Sequence, residues 1–439
     1  MKLQHVARVH DLTDPACNQV DDLDVEAARA RVASGDPARV REIAGSFALL
    51  ARDGQTVRLA RSLDRPLRYF LAKREEGPAL VVADRIDTIA AYLLGEGLGD
   101  QFHPSYTRMV PAHHVTSIAL VGCPDPSPSY LRFVAPAADL LPADLDAIGA
   151  SYAGALASEI EQWLTRVPAG QPIGVLFSGG VDSGAVFLLT YHLMLRLGLA
   201  PARLKAFTLT LGGDDLPQAR RFLDELGLGL FLEPIEGDAA RLDPLETVRV
   251  IEDYKPLDVE SATMSLALLR GIRERYPEWK LLVDGDGGDE NLKDYPIHEN
   301  AELTIRSVLG NQFLYQEGWG VGTFKHSLTF SGGQSRSYTR TYAPLRRFGF
   351  EGFSPYTRPA VLETAERIPF GELSGGDEER LYALKGEVMA RGVRAVTGLS
   401  MPVFPKRRFQ HGALADREQA RLFPYAERDY RRHFQSLFV

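Results

Sequence analysis

The segment Ser178-Gly-Gly-Val-Asp-Ser183 combines residue types that bind phosphate. Gly179 and Gly180 have no Cβ, so a phosphate oxygen can approach their backbone amides closely. The serine hydroxyls at the two ends of the segment can donate hydrogen bonds to the same anion. Asp182 would repel a phosphate group unless a cation lies between them, so its presence predicts a bound Mg²⁺ ion.

The predicted position of this segment supports the same interpretation. It lies between an apolar strand, Ile173 to Phe177, and a predicted helix, Gly184 to Leu197. In open α/β sheets such a strand-to-helix turn binds phosphate, because the helix N-terminus carries partial positive charge. The segment lacks the Gly-Lys-Ser/Thr ending of the common loop that binds β- and γ-phosphates. A glycine-rich turn that begins a helix without any ligand is the alternative.

A second glycine-rich segment, Asp284-Gly-Asp-Gly-Gly-Asp-Glu290, follows Lys280 to Val283, which is predicted as a buried strand. A carboxylate at the end of this neighbouring strand can share a magnesium ion with Asp182 and neutralise a departing pyrophosphate. Gly285 and Gly287 are predicted to contact the nucleotide. A solvated acidic turn is an equal alternative for this segment alone, but the first segment favours the metal-binding interpretation.

Both segments resemble the signatures of a known group of enzymes. Ser178 to Ser183 is similar to the phosphate loop of the ATP pyrophosphatase superfamily, whose members cleave ATP between the α- and β-phosphates. Asp284 to Glu290 is similar to the acidic loop of asparagine synthetases and related β-lactam synthetases. The resemblance implies ATP and Mg²⁺ as cofactors, with Asp182 and Asp289 as the metal ligands. It also implies that a carboxylate is adenylated and passed to an amine or ammonia, with release of pyrophosphate and AMP.

Two later segments extend the resemblance toward the C-terminus. Phe350-Glu-Gly-Phe-Ser-Pro-Tyr356 is similar to the segment that carries a catalytic glutamate in this family. This similarity implies that Glu351 is the base for an attacking amine. Val403-Phe-Pro-Lys-Arg-Arg-Phe-Gln-His-Gly412 is similar to the segment in which a lysine faces the reacting phosphate. It implies that Lys406 stabilises the negative charge of the transition state.

The resemblance also gives expectations for the adenine and the acceptor. The family reads adenine through the backbone of a strand that corresponds to Ala206 to Thr210, so Phe207 is expected to contact the nucleotide. Tyr315 and Tyr342 are both candidates for a tyrosine that assists the catalytic glutamate. The acid-rich segment Glu252 to Glu260 suits a positively charged amine, and an exposed polar loop is an equal alternative.

Residues 1–123 are predicted to form a small β-rich domain. Within it, Gly45 to Ala60 fits a β-hairpin that turns at Asp53-Gly54. From Gly45 onward this region resembles the later strands of the Ntn-hydrolase-like glutaminase domain of asparagine synthetases. That domain has its nucleophilic cysteine directly after the initiator methionine, where this sequence has Lys2. We therefore expect a truncated remnant without glutaminase activity, because Cys17 lacks the free amine that would activate it.

A change in sequence pattern after residue 123 predicts the elements that position these residues. Residues 124–144 are rich in proline and alanine and are predicted to be a linker. Residues 145–439 then begin with alternating strands and helices, which predict an α/β domain with a parallel sheet flanked by helices. Together with this pattern, the resemblance implies an adenine nucleotide alpha hydrolase-like synthetase domain that follows a smaller β-rich remnant.

Composition excludes several other classes of protein. The 439 residues have a net charge of −8, and 45% are hydrophobic, which argues against long disorder and against a nucleic-acid-binding surface. We find no apolar stretch of about 20 residues and no signal peptide, so we expect a cytoplasmic protein without a membrane partner. The two cysteines, Cys17 and Cys123, do not have the spacing of a metal site.

These observations favour an ATP-dependent carbon-nitrogen ligase. Its expected partners are a small-molecule carboxylate and an amine or ammonia, with a separate ammonia-supplying glutaminase subunit and a homo-oligomer as further alternatives. A tRNA-modifying or sulfur-transferring enzyme shares the phosphate loop, but it would need a basic surface. A non-catalytic scaffold is the third alternative. The retention of Ser178, Asp182, Asp289, Glu351 and Lys406 together argues against it.

Overall fold

The computed structural model describes residues 8–74, 78–119, 128–135, 138–213, 215–294, 297, 304–310, 337–405 and 416–438. Two compact units divide the chain, and the division after the N-terminal part falls between Ala135 and Pro136. The first unit also includes Arg432–Val439, whereas the second contains most of the remaining chain up to Arg431. Among the described residues, no helix is both long enough and apolar enough to cross a membrane.

The first unit is built from two small sheets. One has the strand order β1-β7-β6-β8 and the other β10-β9-β5-β4, while β2 and β3 form a separate pair. The predicted hairpin is β4 and β5, in which Asp53 pairs with Thr56 and Gly54 takes a positive φ of 57° in the turn. The strands are β1 Arg8–Asp11, β2 Gln19–Asp21, β3 Ala44–Ser46, β4 Ala48–Asp53, β5 Thr56–Arg61, β6 Arg68–Ala72, β7 Ala79–Ala83, β8 Arg108–Met109, β9 His114–Ala119 and β10 Ser129–Arg132. The helices are α1 Val25–Ser34, α2 Pro37–Arg41 and α3 Ile86–Gly95.

The second unit contains a five-stranded sheet with the order β13-β12-β11-β14-β15, and all of its neighbouring strands are parallel. The strands are β11 Ile173–Leu176, β12 Leu204–Thr210, β13 Leu232–Glu236, β14 Leu281–Val283 and β15 Glu351–Phe353. The chain adds β12 and β13 on one side of β11 and then places β14 on the other side. This reversal lies between β11 and β14, and crevices that bind ligands open at the carboxyl ends of strands at such a point.

Helices accompany the sheet, as the alternating pattern predicts. They are α4 Leu145–Arg166, α5 Val181–Arg196, α6 Asp215–Asp224, α7 Pro244–Ile251, α8 Pro256–Arg275, α9 Gly288–Asn291, α10 Ile305–Gly310, a π-helix Ser337–Tyr342, α11 Ala343–Arg347, α12 Pro359–Glu366, α13 Phe370–Ser374, α14 Glu378–Thr397 and α15 Asp416–Leu422. The last helix, α16 Glu427–Ser436, includes residues of both units. Apolar residues of α8 such as Met264 and Leu268 pack with Phe207 and Ile235 of the sheet. The expected α/β fold, with a parallel sheet flanked by helices and a smaller β-rich region before it, is confirmed.

Helices α4 and α14 approach each other closely at two glycines. A Cβ on Gly149 would lie 2.8 Å from the amide nitrogen of Gly392 and 2.8 Å from the carbonyl oxygen of Val388. Only residues without a side chain allow backbones to come so near. The side chain of Ala153, on α4, lies at the same contact, so α4 and α14 are packed closely along this stretch.

Candidate active site

Two loops lie next to each other at the carboxyl edge of the sheet. One follows β11 and leads into α5, and the other follows β14 and leads into α9. Because β11 and β14 are parallel neighbours, with Val175 opposite Val283, their loops leave the sheet at the same edge. The two segments predicted from the sequence to bind phosphate and metal are therefore adjacent.

The first loop folds its hydroxyl groups onto itself. The backbone N–H of Ser178 donates a hydrogen bond to Oγ of Ser183 over 3.2 Å, and the N–H of Gly180 donates to Oγ of Ser178 over 3.3 Å. Gly179 has a φ of 71°, and a Cβ there would lie 2.7 Å from Cα of Ala219. Gly180 is the N-cap of α5 and provides no side-chain cap. No side chain of the N-cap residue therefore caps the first amides of α5. An anion site requires such uncapped amides, because they donate to the anion.

Glycines in the second loop allow it to pack directly on the start of α5. A Cβ on Gly285 would lie 2.9 Å from the amide nitrogen of Ser183, and one on Gly288 would overlap Oδ1 of Asp182. Gly287 has a φ of 105°, and its Cβ would lie 3.1 Å from Cβ of Tyr356. Close packing within the protein is therefore enough to explain why glycine occupies positions 285 and 287. Their predicted contact with a nucleotide stays a prediction.

Lys385, on α14, joins the carboxylates of the two loops. Its Nζ atom lies 2.6 Å from Oδ2 of Asp182, forms an ion pair with Asp289 and lies 3.4 Å from Oδ2 of Asp294. Burial disfavours the ammonium form, but the charges of Asp182 and Asp289 outweigh burial and hold the pKa of Lys385 well above its ordinary value. The two predicted metal ligands therefore face one place, and a cationic group of the protein lies between them.

A network of neutral side chains braces this arrangement. The Tyr356 hydroxyl donates a hydrogen bond to the backbone carbonyl of Asp182 over 3.2 Å. The side-chain amide of Asn291, in α9, donates to the Tyr152 hydroxyl over 3.1 Å and to the Tyr356 carbonyl over 3.0 Å. Burial, together with the negative charge of Asp182, raises the pKa of Tyr356 well above its ordinary value. The tyrosine consequently stays protonated and donates.

Carboxylates in the second loop have different partners. Asp284 is buried and accepts a hydrogen bond from the Ser354 hydroxyl over 2.6 Å. Its other oxygen accepts from the backbone N–H of Asp286 over 3.0 Å. The side chain of Asp286 accepts from the Thr341 hydroxyl at the end of the π-helix. Asp284 therefore shapes the loop, and Asp286 ties the loop to the π-helix through Thr341.

The residues present fit a magnesium-bound polyphosphate. The described part of the chain contains no group of three or more acidic, histidine or cysteine side chains that would hold a metal by itself. Mg²⁺ commonly takes only one or two carboxylates and fills its other positions with water and phosphate oxygens. Asp182 and Asp289 meet that requirement, and Lys385 shows that a positive charge is favoured between them.

Residues 160–348 match the family model described as asparagine synthase. The matched range contains both loops, with Asp182 and Asp289, and the strands β11 to β14. It supports an ATP-dependent synthetase function in general and ATP as the nucleotide. A search of curated proteins finds no match to the chain.

One residue predicted from the sequence, Glu351, is not brought to this edge. Glu351 is exposed at the first position of β15, opposite Leu281, which precedes Asp284 by three residues. At about 3.3 Å per residue, its backbone lies roughly 10 Å from the second loop along the strand direction. The predicted role of Glu351 thus receives no support from the geometry. Lys406 and Tyr315 lie outside the described residues.

Phe207 is buried within the sheet. Its carbonyl accepts a hydrogen bond from the N–H of Phe177 over 2.8 Å, and its ring packs 5.0 Å from the ring of Trp279. Because β12 has a neighbouring strand on each side, its backbone groups pair within the sheet. Phe207 therefore lies beside Phe177, the residue before the first loop, and its predicted contact with a nucleotide stays a prediction.

Tyr382-Ala-Leu-Lys385 also resembles part of the family's last segment, but no role was predicted for Lys385 itself. The signal was present in the pattern of α14, where Leu381, Leu384 and Val388 form the buried stripe and Lys385 lies within it. A lysine on the apolar face of a helix needs a buried partner, because an uncompensated charge is costly to bury. Its partners lie far away in sequence, so the pattern predicts the need for carboxylates without naming them.

Proposed function

We propose that this protein is an ATP-dependent amide synthetase that adenylates a carboxylate and passes the acyl group to nitrogen, with release of pyrophosphate and AMP. The observation that carries the proposal is the joint arrangement of the two loops, in which Asp182 and Asp289 face the same cation beside the start of α5. The match of residues 160–348 to the asparagine synthase family model supports the same chemistry.

In this proposal the first loop binds the β- and γ-phosphates that leave as pyrophosphate. The N–H groups at the start of α5 and the hydroxyls of Ser178 and Ser183 donate hydrogen bonds to phosphate oxygens. Asp182 and Asp289 would hold Mg²⁺, which would neutralise the departing pyrophosphate. Tyr356 keeps Asp182 in place through its hydrogen bond to the backbone.

Two lysines supply fixed positive charge for the adenylation and transfer steps. Lys385 is held at the carboxylates of the loops, so a phosphate chain that enters there meets its ammonium group. Lys406 keeps its predicted role beside the reacting phosphate. A preorganised charge of this kind stabilises the transition state more than the ground state, because negative charge builds up on the leaving phosphate.

The nitrogen donor in this proposal is an amine of the substrate or of a second metabolite, with free ammonia as the alternative. Cys17 ends the short 3-10 helix Pro15–Cys17, and its thiol donates to a carboxylate oxygen of Asp14 over 3.1 Å. A neighbouring carboxylate disfavours the thiolate that would attack glutamine. Cys17 is therefore not proposed as a glutaminase nucleophile, and we propose that this chain does not hydrolyse glutamine.

The test is an exchange of labelled pyrophosphate into ATP by the purified protein with Mg²⁺ and pools of amino and carboxylic acids. We expect exchange that depends on one pool of carboxylates, and AMP with an amide product when amines or ammonium are added. AMP formation that requires tRNA would instead identify a tRNA-modifying enzyme. Absence of turnover with every pool would contradict the proposal and favour a scaffold. Glutamine is expected to give no more product than buffer does.

A further inference from the structure

A cavity of about 270 Å³ lies in the second unit, away from the two loops. One wall is the turn after β13, within residues 239–244, and the other is the end of α15 with the residues after it, within 421–425. None of the described residues that line it belongs to the loops after β11 and β14. β13 is the outer strand of the sheet, two positions from β11, so its turn leaves the sheet roughly 10 Å from the first loop. The cavity is therefore separate from the candidate active site.

The apolar part of the lining is held in place by the core. Leu242 and Leu422, one from each wall, pack against the buried hydrophobic cluster of the second unit. Pro244 is buried, and the ring of Tyr425 lies 5.5 Å from the ring of Tyr430. The volume is slightly below the roughly 300–1,000 Å³ of pockets for drug-sized ligands. A ligand of the size of one amino acid, with an apolar body, suits this space.

Polar contacts outside the cavity hold both walls. In the first wall, Arg241 forms an ion pair with Glu274 over 2.8 Å, and its carbonyl accepts a hydrogen bond from Arg270 over 3.0 Å. After the second wall, Arg431 of α16 donates to the Tyr254 hydroxyl over 3.0 Å. The cavity is thus formed before a ligand arrives, and a ligand does not have to order the chain on binding.

One charged side chain from each wall lines the cavity, and the two charges are opposite. Asp243 is the N-cap of α7, and its Oδ1 accepts from the backbone N–H groups of Leu245 and Glu246 over 2.9 and 3.2 Å. No residue in the described part of the chain donates to its Oδ2. Arg421 is exposed and forms no ion pair with Asp243 or with another described carboxylate. Opposite charges that line one cavity without pairing leave room for a ligand that pairs with both.

We propose that this cavity binds a zwitterionic α-amino acid with an apolar side chain. The guanidinium of Arg421 pairs with the ligand's carboxylate, which matches the planar fork of arginine. Oδ2 of Asp243 accepts a hydrogen bond from the ligand's ammonium group. The ligand's side chain covers Leu242, Leu422 and Tyr425, so burial of apolar surface adds to the affinity. This binding goes beyond the proposed amide synthesis and does not depend on it.

Isothermal titration calorimetry of the full chain, without ATP or Mg²⁺, tests the proposal. The probes are L-leucine, L-methionine and L-phenylalanine, and we expect saturable binding at one site per chain. N-acetyl-L-leucine lacks the ammonium group and L-leucinamide lacks the carboxylate. Each should bind at least about tenfold more weakly than L-leucine, because each loses one hydrogen bond between charged groups.

Variants of the two charged residues locate the site. Arg421→Gln and Asp243→Asn should each weaken binding of L-leucine by at least about tenfold. Asparagine caps a helix about as well as aspartate does, so Asp243→Asn keeps α7 and removes only the charge. L-leucinamide should bind Arg421→Gln as it binds the wild type, because that pair has already lost the ligand's carboxylate. Arg428→Gln removes an arginine that is 83% exposed outside the cavity and should bind L-leucine like the wild type.

Three results would overturn the proposal. The first is the absence of saturable binding of all three amino acids to the wild type. The second is binding that neither Arg421→Gln nor Asp243→Asn weakens, which would place the amino acid elsewhere, such as in the candidate active site. The third is equal affinity for L-leucine and N-acetyl-L-leucine, which would show a site for carboxylates alone. Pyrophosphate exchange should proceed in both variants as in the wild type, and its failure in the wild type would overturn the proposed amide synthesis while leaving the amino-acid site in place.

Discussion

At the scale of single residues, Lys385 decides the charge balance of the candidate site. Its ammonium group forms ion pairs with both Asp182 and Asp289. Neither carboxylate is far from water, because their side chains are 20% and 36% exposed. The ion pairs of Lys385 are thus intermediate between surface ion pairs and fully buried ones. We expect their contribution to the free energy of unfolding to lie at the lower end of the range for buried pairs.

Lys385→Gln is expected to lower the free energy of unfolding by about 3 kcal/mol at neutral pH, since it removes the buried ammonium group that contacts both carboxylates. Mg²⁺ should recover part of the loss, because it neutralises the same carboxylates. Urea unfolding with and without Mg²⁺ measures both effects. Lys280→Gln removes an exposed lysine near the opposite edge of the sheet and is the matched control. A variant that is as stable as the control, with no response to Mg²⁺, would contradict this account of the site.

At the scale of elements, the contact between α4 and α14 places Lys385. Gly392 is buried on α14. A Cβ there would lie 2.6 Å from Cβ of Ala153 and would overlap the carbonyl oxygen of Gly149. Backbone atoms cannot move aside as a flexible side chain can. Any added side chain must therefore push the two helices apart and shift the lysine relative to the sheet.

Gly392→Ala is expected to destabilise the protein by about 1–3 kcal/mol through overpacking. It should also lower pyrophosphate exchange, because Lys385 moves with its helix. Gly154→Ala is the matched control: it lies on α4, where an added Cβ meets nothing within 4 Å, so it should stabilise the helix by about 0.5–1 kcal/mol. Urea unfolding of both variants is the measurement. Equal stabilities would show that the close approach of the helices is not required.

The elements were largely predictable, whereas their mutual placement was not. Local apolar patterns predicted β11, β12 and the hairpin in the first unit, because a strand buried on one or both faces shows a short run or alternation of apolar residues. The helix after the phosphate loop begins at Val181 rather than Gly184, since a glycine N-cap gives little signal in sequence. Asp253 and Asp258 are buried, not exposed, and Asp258 pairs with Arg340, 82 positions away. Composition cannot show such a distant partner.

The same limit explains the two main differences at the candidate site. Glu351 was assigned as the base from a resemblance in the residues around it. The edge of the sheet that a residue reaches depends instead on the strand register, which the local sequence does not show. Lys385 and Asp182 are separated by 203 positions, so their contact depends on how α14 packs on the sheet. The phosphate and acidic loops were predictable because each is a local motif at the end of a strand.

At the scale of the whole molecule, the first unit has a built-in sensitivity to acid. His114 begins β9 and is 3% exposed, and its Nδ1 lies 2.6 Å from the carbonyl oxygen of Ala112. Burial lowers its pKa to about 4, against the pull of that hydrogen bond, and the positive charges of Arg132 and Arg61 lower it further. The folded protein thus holds this histidine neutral over a range in which the unfolded chain binds a proton.

The sign of the pH dependence follows from this difference. Between about pH 6.5 and pH 4 the unfolded state binds the proton and the folded state does not, so stability falls as the pH is lowered through this window. A shift from 6.5 to about 4 corresponds to about 3 kcal/mol. Urea unfolding at pH 7 and pH 4.5 should show a smaller loss in His114→Gln than in the wild type. His103→Gln, which changes an exposed histidine of the same unit, should keep the wild-type dependence. Identical pH dependences in wild type and His114→Gln would show that another group causes the loss.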